Sequence, residues 1–242
     1  MKASEFLLEG DKHYRATLLL GIATDTEDST GQILQRSEAL PRPEEVEEAC
    51  AAFRGEILQI PPMYSAIRVG GRRLMELARE GKTVERQPRP VCIYRLDVGR
   101  LDERRYLLDV HCSKGTYIRT LCADIGRRLG CFGVMEHLVR TEAAGFPLSA
   151  CCTLGELEAL PPEKRLAMVR PVDTLFASCP AVTLPAFYAR LARNGQEIYL
   201  KKIGRTDPPG TRLRLYDGQT FFALAEVGLY PDGAAARPIR QF

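Results

Sequence analysis

Apolar and polar residues alternate through the first predicted strand, residues 12–21, with Tyr14, Ala16, Leu18 and Leu20 on one face. The same period of two returns at Tyr106, Leu108, Val110 and Cys112, so strands are expected near 91–98 and 105–112. The period then lengthens. Ile118, Leu121, Cys122, Ile125 and Leu129 fall at helical spacing and predict a helix over 116–129. Val46, Ala49, Cys50 and Phe53 do the same behind Pro43, a residue suited to the first helical turn, with Gly55 as the stop. A short helix over 74–80 ends at Gly81, and residues 132–143 read as another strand. An acidic loop, 24–31, leads into a short strand over 32–35. The paired prolines Pro61 and Pro62 fix an extended bend rather than a regular element.

Toward the C-terminus, Thr153 and Glu156 form a capping-box pattern that opens a helix. Proline-rich punctuation from 161 to 185 places a domain boundary near residue 180. Beyond it lie a helix over 187–194 with Gly195 at C′, and two strands around Asp217-Gly218, a hairpin signal. The pattern predicts an α+β architecture, with a main domain over 1–180 and a small, mostly β domain over 181–242.

Composition narrows the class. The 242 residues are 45% hydrophobic, enough for a large domain with an appendage. No apolar run approaches the roughly 20 residues that cross a bilayer, and the first ten residues are too short and acidic for a signal peptide, so a cytosolic protein is expected. The eight cysteines form no Cys-x-x-Cys pair and there are three histidines, so no zinc spacing can be built and reduced thiols are expected. The net charge is only +3, but cations cluster at Arg72-Arg73, Arg127-Arg128, Lys201-Lys202, Arg212 with Arg214, and Arg237 with Arg240. Any one such pair reads as ordinary solvated surface.

Arg119 stands apart. It falls in the first turn of the predicted helix, at the positive end of the macrodipole, where a cation is disfavoured by a few tenths to about 1 kcal/mol. It therefore needs an anionic partner from elsewhere, either a carboxylate or a phosphate.

Four stretches in order carry a resemblance that covers essentially the whole chain: 11–16 with Leu20-Gly21, 24–28 with Gly31, Gln59-Ile60-Pro61-Pro62-Met63-Tyr64-Ser65-Ala66, and Ser113-Lys114-Gly115-Thr116-Tyr117-Ile118-Arg119. They resemble the TruB-type tRNA pseudouridine synthases. The resemblance implies a pseudouridine-synthase-like mixed sheet with flanking helices and a PUA-like, RNA-binding C-terminal domain. It implies isomerisation of the T-loop uridine (position 55) of tRNA without cofactor or metal, by an enzyme that is monomeric when full-length. The base must leave the stacked loop to be reached. Tyr14 then matches the tyrosine that stacks on the flipped base, and Arg119 the arginine that pairs with the catalytic aspartate. Tyr117 matches an active-site aromatic and Leu138 an apolar pocket residue. Alongside such motifs the basic clusters become RNA contacts: Arg72, Arg73, Lys114, Arg127, Arg128, Lys201, Lys202 and Arg212. On their own residues, Tyr14 and Leu138 read as ordinary core.

The family's nucleophilic aspartate belongs to a Gly-Thr-Leu-Asp-Pro-type motif, and the 242 residues contain none. Asp25 and Asp28 match a separate acidic loop, and Asp124 is off the Arg119 face of the helix. The expectation is a family member lacking the N-terminal segment that carries the nucleophile. Such a chain would form no pseudouridine and would expose an unpaired sheet edge that favours self-association. The competing reading is a non-catalytic tRNA-binding or tRNA-folding protein.

Overall fold

The computed structural model describes residues 2–242. Along the chain the first part comprises α1 (Ser4–Glu9), β1 (Lys12–Leu20), β2 (Ile22–Thr24), β3 (Ile33–Arg36), α2 (Pro43–Ala51), β4 (Gly55–Gln59), β5 (Arg68–Val69), β6 (Arg72–Arg73), α3 (Leu74–Arg79), β7 (Arg89–Arg100), β8 (Arg105–Cys112), α4 (Ile118–Arg128), β9 (Gly133–Ala143) and β10 (Phe146–Pro147). The second part holds α5 (Leu154–Ala159), α6 (Pro162–Ala167), β11 (Ala181–Leu184), α7 (Ala186–Arg193), β12 (Ile198–Tyr199), β13 (Arg212–Asp217), β14 (Thr220–Tyr230) and β15 (Gly233–Gln241). The α+β class holds.

The chain divides into two compact units, one of Leu8–Cys151 and one of residues 2–7 with 152–242. This division falls at Cys151/Cys152 rather than near 180. Residues 152–180 group with the C-terminal sheet because the aromatic ring of Phe176 packs on Phe6, Phe221 and Phe242 at centroid distances of 5.0, 6.0 and 5.7 Å.

In the Leu8–Cys151 unit six strands form one sheet in the order β10-β9-β1-β8-β7-β4. Every pairing is antiparallel, where the resemblance implied a mixed sheet. The alternation seen in the sequence sets one face: Ala16, Leu18 and Leu20 are buried, and Tyr14 is nearly so. Helix α4 lays Ile118, Leu121, Cys122 and Ile125 against that face, and α2 adds Val46 and Cys50. Gly126 lets α4 approach closely, since a Cβ there would run into the backbone of Phe132 and Gly133. Gly55 does not close α2. The helix ends at Ala51, and Gly55, at φ +90°, turns the chain into β4. Strand β4 is an edge of the sheet, with Leu58 71% exposed.

The C-terminal unit has a five-stranded sheet in the order β11-β13-β14-β15-β12, with β11 and β13 parallel. Asp217 pairs with Thr220 across the expected hairpin, and Gly218 takes φ +57°. Helix α7 ends as anticipated, with Gly195 at φ +79°. The Thr153 hydroxyl accepts from the Glu156 N–H at 3.1 Å, completing the cap on α5.

All eight cysteines are free thiols. Burial pushes Cys50 and Cys112 up to about 11, so neither is a thiolate at neutral pH. No helix is long and apolar enough to cross a membrane among the described residues.

Candidate active site

The anionic partner of Arg119 is a carboxylate, that of Asp28. Arg119 Nη1 lies 3.3 Å from Asp28 Oδ2, with the two side chains 28% and 16% exposed. The acidic loop thus reaches the candidate site, with its carboxylate against the first turn of α4. Sequence reading missed this, because no local pattern reports a contact between residues 91 positions apart.

The loop is built to hold that carboxylate. Asp28 Oδ1 accepts from the Thr26 hydroxyl at 2.8 Å, the Thr30 hydroxyl at 2.6 Å and the Thr30 N–H at 3.1 Å. The Thr24 hydroxyl donates to the Asp28 carbonyl at 2.7 Å. Gly31 closes the loop where a side chain would strike Thr26 and Asp25. On its other side the loop is tied to β9: the Met135 N–H donates to the Glu27 carbonyl at 3.1 Å, and the Ser29 N–H to the Met135 carbonyl at 3.0 Å. Burial alone would push the Asp28 carboxyl up. The Thr30 and Thr26 hydroxyls, the Thr30 N–H and the Arg119 charge outweigh it and hold Asp28 below the usual carboxylate range.

Tyr117 caps the start of α4 and is itself held by a residue that sequence reading left without a role. Its N–H donates to Gln59 Oε1 at 2.8 Å, and its carbonyl accepts from Gln59 Nε2 at 3.1 Å. Gln59 is 2% exposed. Its only sequence signal was membership of the Gln-Ile-Pro-Pro stretch.

Tyr14 lies in the middle of the sheet, paired with Val110 on one side and Arg140 on the other. The Arg140 guanidinium sits over its ring, 5.4 Å from the centroid. Leu138 pairs with Ala16 and so shares that face. At 37% exposed it is not a core leucine.

The cationic candidates divide. Arg72 is paired with Glu80, Lys114 with Glu9, Arg127 with Asp124 and Glu27, and Arg212 with Glu226. Lys201 donates to the Asp232 carbonyl at 3.1 Å. Arg73, Arg128 and Lys202 have no side-chain ion pair among the described residues. Asp124 also belongs to this group: it faces Arg127 rather than Arg119. A cavity of about 480 Å³ adjoins it, lined by Glu27, Phe53, Leu58, Ile60, Arg86, Thr120, Asp124 and Arg127.

The fold is shared with chains of solved complexes. It is similar to a chain in the crystal structure of a Cbf5-Nop10-Gar1 complex, with a TM-score of 0.70 over 99% of this chain and 68% of that one, at 20% identity. A chain in the structure of an H/ACA RNP bound to a substrate RNA containing 2'-deoxyuridine matches at a TM-score of 0.68, 19% identity and the same coverage.

Residues 1–118 match the TruB family pseudouridylate synthase N-terminal domain, which sets the class. Residues 119–177 match the tRNA pseudouridylate synthase B C-terminal domain. The tRNA pseudouridine synthase B of Alkaliphilus oremlandii is 43% identical over 228 residues, which is 93% of this chain and 76% of the relative. That of Francisella tularensis subsp. novicida is 40% identical over 229 residues, covering 93% and 74%. The chain belongs to the TruB family of pseudouridine synthases.

Proposed function

We propose that this chain carries the base-stacking and arginine-bearing part of a tRNA pseudouridine synthase site, directed at the T-loop uridine, position 55, of cytoplasmic tRNA. The observation that carries the reading is Arg119 held on the first turn of α4 by Asp28. In the isomerisation the C1′–N1 glycosidic bond breaks, a C1′–C5 bond forms, the C5 proton leaves to solvent and N1 takes one up. Tyr14 supplies a ring for the extruded base and Leu138 and Tyr117 line its pocket. Arg119 orients the carboxylate that attacks. Arg73, Arg128 and Lys202 supply the phosphate contacts, with the paired cations Arg72, Lys114, Arg127, Lys201 and Arg212 joining them when RNA displaces their partners.

Asp28 is not that attacking carboxylate. Three donors engage its Oδ1 and the guanidinium its Oδ2, so both oxygens already serve as acceptors inside the loop. The nucleophile of the family motif is not among the 242 residues, so a polypeptide of these residues alone binds tRNA without turning it over. The same absence favours tRNA binding without chemistry as the second reading for this polypeptide.

The test is binding of an unmodified tRNA transcript and of an isolated T stem-loop. Both should bind, and affinity should fall steeply with salt as phosphate contacts release counterions. Arg73→Ala and Lys202→Ala should each reduce the salt slope by about one. Binding that is flat with salt, or absent for the stem-loop, removes the reading.

A further inference from the structure

Glu27 is an unexpected residue where it stands. Its φ of +63° lies in the left-handed region, where glycine is the cheaper choice. A side chain kept at such a position points to a use for that side chain. The carboxylate accepts from the Thr120 hydroxyl, Oγ1 to Oε2, at 2.5 Å, and Oε1 lies 3.5 Å from Arg127. Thr120 is the residue after Arg119, as Glu27 is the residue before Asp28. Two consecutive loop residues are thus bonded to two consecutive helix residues.

We propose that Glu27 is a positioning residue for Arg119: its bond to Thr120 locks the acidic loop to the first turn of α4 and so fixes the Asp28–Arg119 pair. The proposal rests on Arg119 being the cation of the reaction centre. A single ion pair between a loop and a helix end leaves the guanidinium free to swing about one contact. A second bond one residue along removes that rotation, because loop and helix are then fixed at two points. The contacts of Glu27 suit this task more than a proton-transfer role. Thr120 is 2% exposed and its hydroxyl has a directional partner, and Arg127 is shared with Asp124 on the same stripe of α4. Burial pushes Glu27 up, opposed by the Thr120 hydrogen bond and the Arg127 charge, so the side chain is held there at a desolvation cost.

The test follows the Asp28 carboxyl by carbon NMR across acid pH in the 242-residue chain without RNA. The variants are Glu27→Gly, Glu27→Gln and Thr120→Val. Direct electrostatics and positioning predict different results. Glu27 is raised and Asp28 lowered, so Glu27 is already protonated where Asp28 titrates, and its removal by itself leaves the Asp28 midpoint in place. Loosening Arg119 raises it, by about one pH unit for loss of a close guanidinium.

The expected result is a raised midpoint and faster exchange of the Arg119 Nε proton in Glu27→Gly and Thr120→Val. In Glu27→Gln the amide oxygen still accepts from Thr120, so the midpoint should not rise. Thr120→Val keeps the side-chain shape and the loop backbone, which guards against a variant that merely misfolds. An unchanged or lowered midpoint in both Glu27→Gly and Thr120→Val overturns the proposal, as does a Glu27→Gln rise equal to that of Glu27→Gly. No RNA is present, so a failure here is distinct from a failure of the RNA reading, which would appear as tRNA binding that is flat with salt or absent for the stem-loop.

Discussion

Gln59 and Tyr117 are joined by two hydrogen bonds, so one buried amide satisfies both the N–H and the carbonyl of the residue that starts α4. A helix start leaves orphan N–H groups, and here a side chain from the end of β4 supplies the acceptor. The arrangement fixes where α4 begins and hence where Arg119 points. Gln59→Leu fills the same space but leaves both backbone groups unpaired, at a cost of about 1–3 kcal/mol for each buried group left unsatisfied. Urea denaturation should show that loss, with faster amide exchange at Tyr117. Unchanged stability would mean that water replaces the amide.

Asp28→Asn tests the ion pair. It keeps the side-chain shape but removes the charge facing Arg119, and the expected loss is about 1–2 kcal/mol at pH 7. Asp28 has a folded pKa below its unfolded value. Its contribution is therefore present above the unfolded value and is lost as pH falls through the folded one. The difference between wild type and Asp28→Asn in urea midpoint should shrink toward zero on acidification. A difference that persists at strongly acid pH would assign the effect to the threonine contacts rather than to charge.

Glu27 titrates with the opposite sign. Its folded value is raised, chiefly by burial, so the folded state binds a proton more readily than the unfolded chain. Stability is highest below the unfolded value and falls as pH rises through the folded one. Glu27→Gln removes that penalty and keeps the Thr120 bond. The variant should be the more stable at pH 7 in thermal melts, with the gap closing as the pH drops through the folded Glu27 value. A gap independent of pH would contradict this.

Gly126 tests the closeness of α4 to β9. Gly126→Ala drives a methyl into the backbone of Phe132 and Gly133 and should cost about 3 kcal/mol. Gly155→Ala in α5 meets nothing within 4 Å and should be neutral or stabilising by about 0.5–1 kcal/mol. Equal effects in chemical denaturation would remove the packing argument.

The edge strand β4 carries the expected self-association. Leu58 is 71% exposed and Ile60 49%, beside the unpaired edge. Leu58→Lys places a charge there, as natural edge strands do, and should shift sedimentation toward monomer. A monomeric wild-type chain at high concentration would contradict the expectation.

The sequence made visible the elements whose burial is periodic. Residues Tyr14 to Leu20 and Ile118 to Ile125 each carry a complete apolar stripe, so β1 and α4 were readable with their faces. Strand β15 was not, because its buried residues Ala235 and Ala236 are small and adjacent and Pro238 lies near a register shift. Of the site, the need of Arg119 for an anion could be argued from helix electrostatics. Which anion supplied it could not, since Asp28 reaches it only after β1, β9 and α4 have assembled. Gln59 was hidden for the same reason. Leu138 read as core because its spacing places it on the face of Ala16, and no local signal reports its 37% exposure there.

The most direct measurement is pseudouridine content, by mass spectrometry, of an unmodified tRNA transcript incubated with the 242-residue chain at concentrations that saturate binding. The account predicts a bound complex and no pseudouridine, because the family's nucleophile motif is not among these residues and Asp28 is held by Arg119 and its threonines. Stoichiometric pseudouridine at position 55 would contradict it and would make a carboxylate within these residues, Asp28 first among them, the nucleophile.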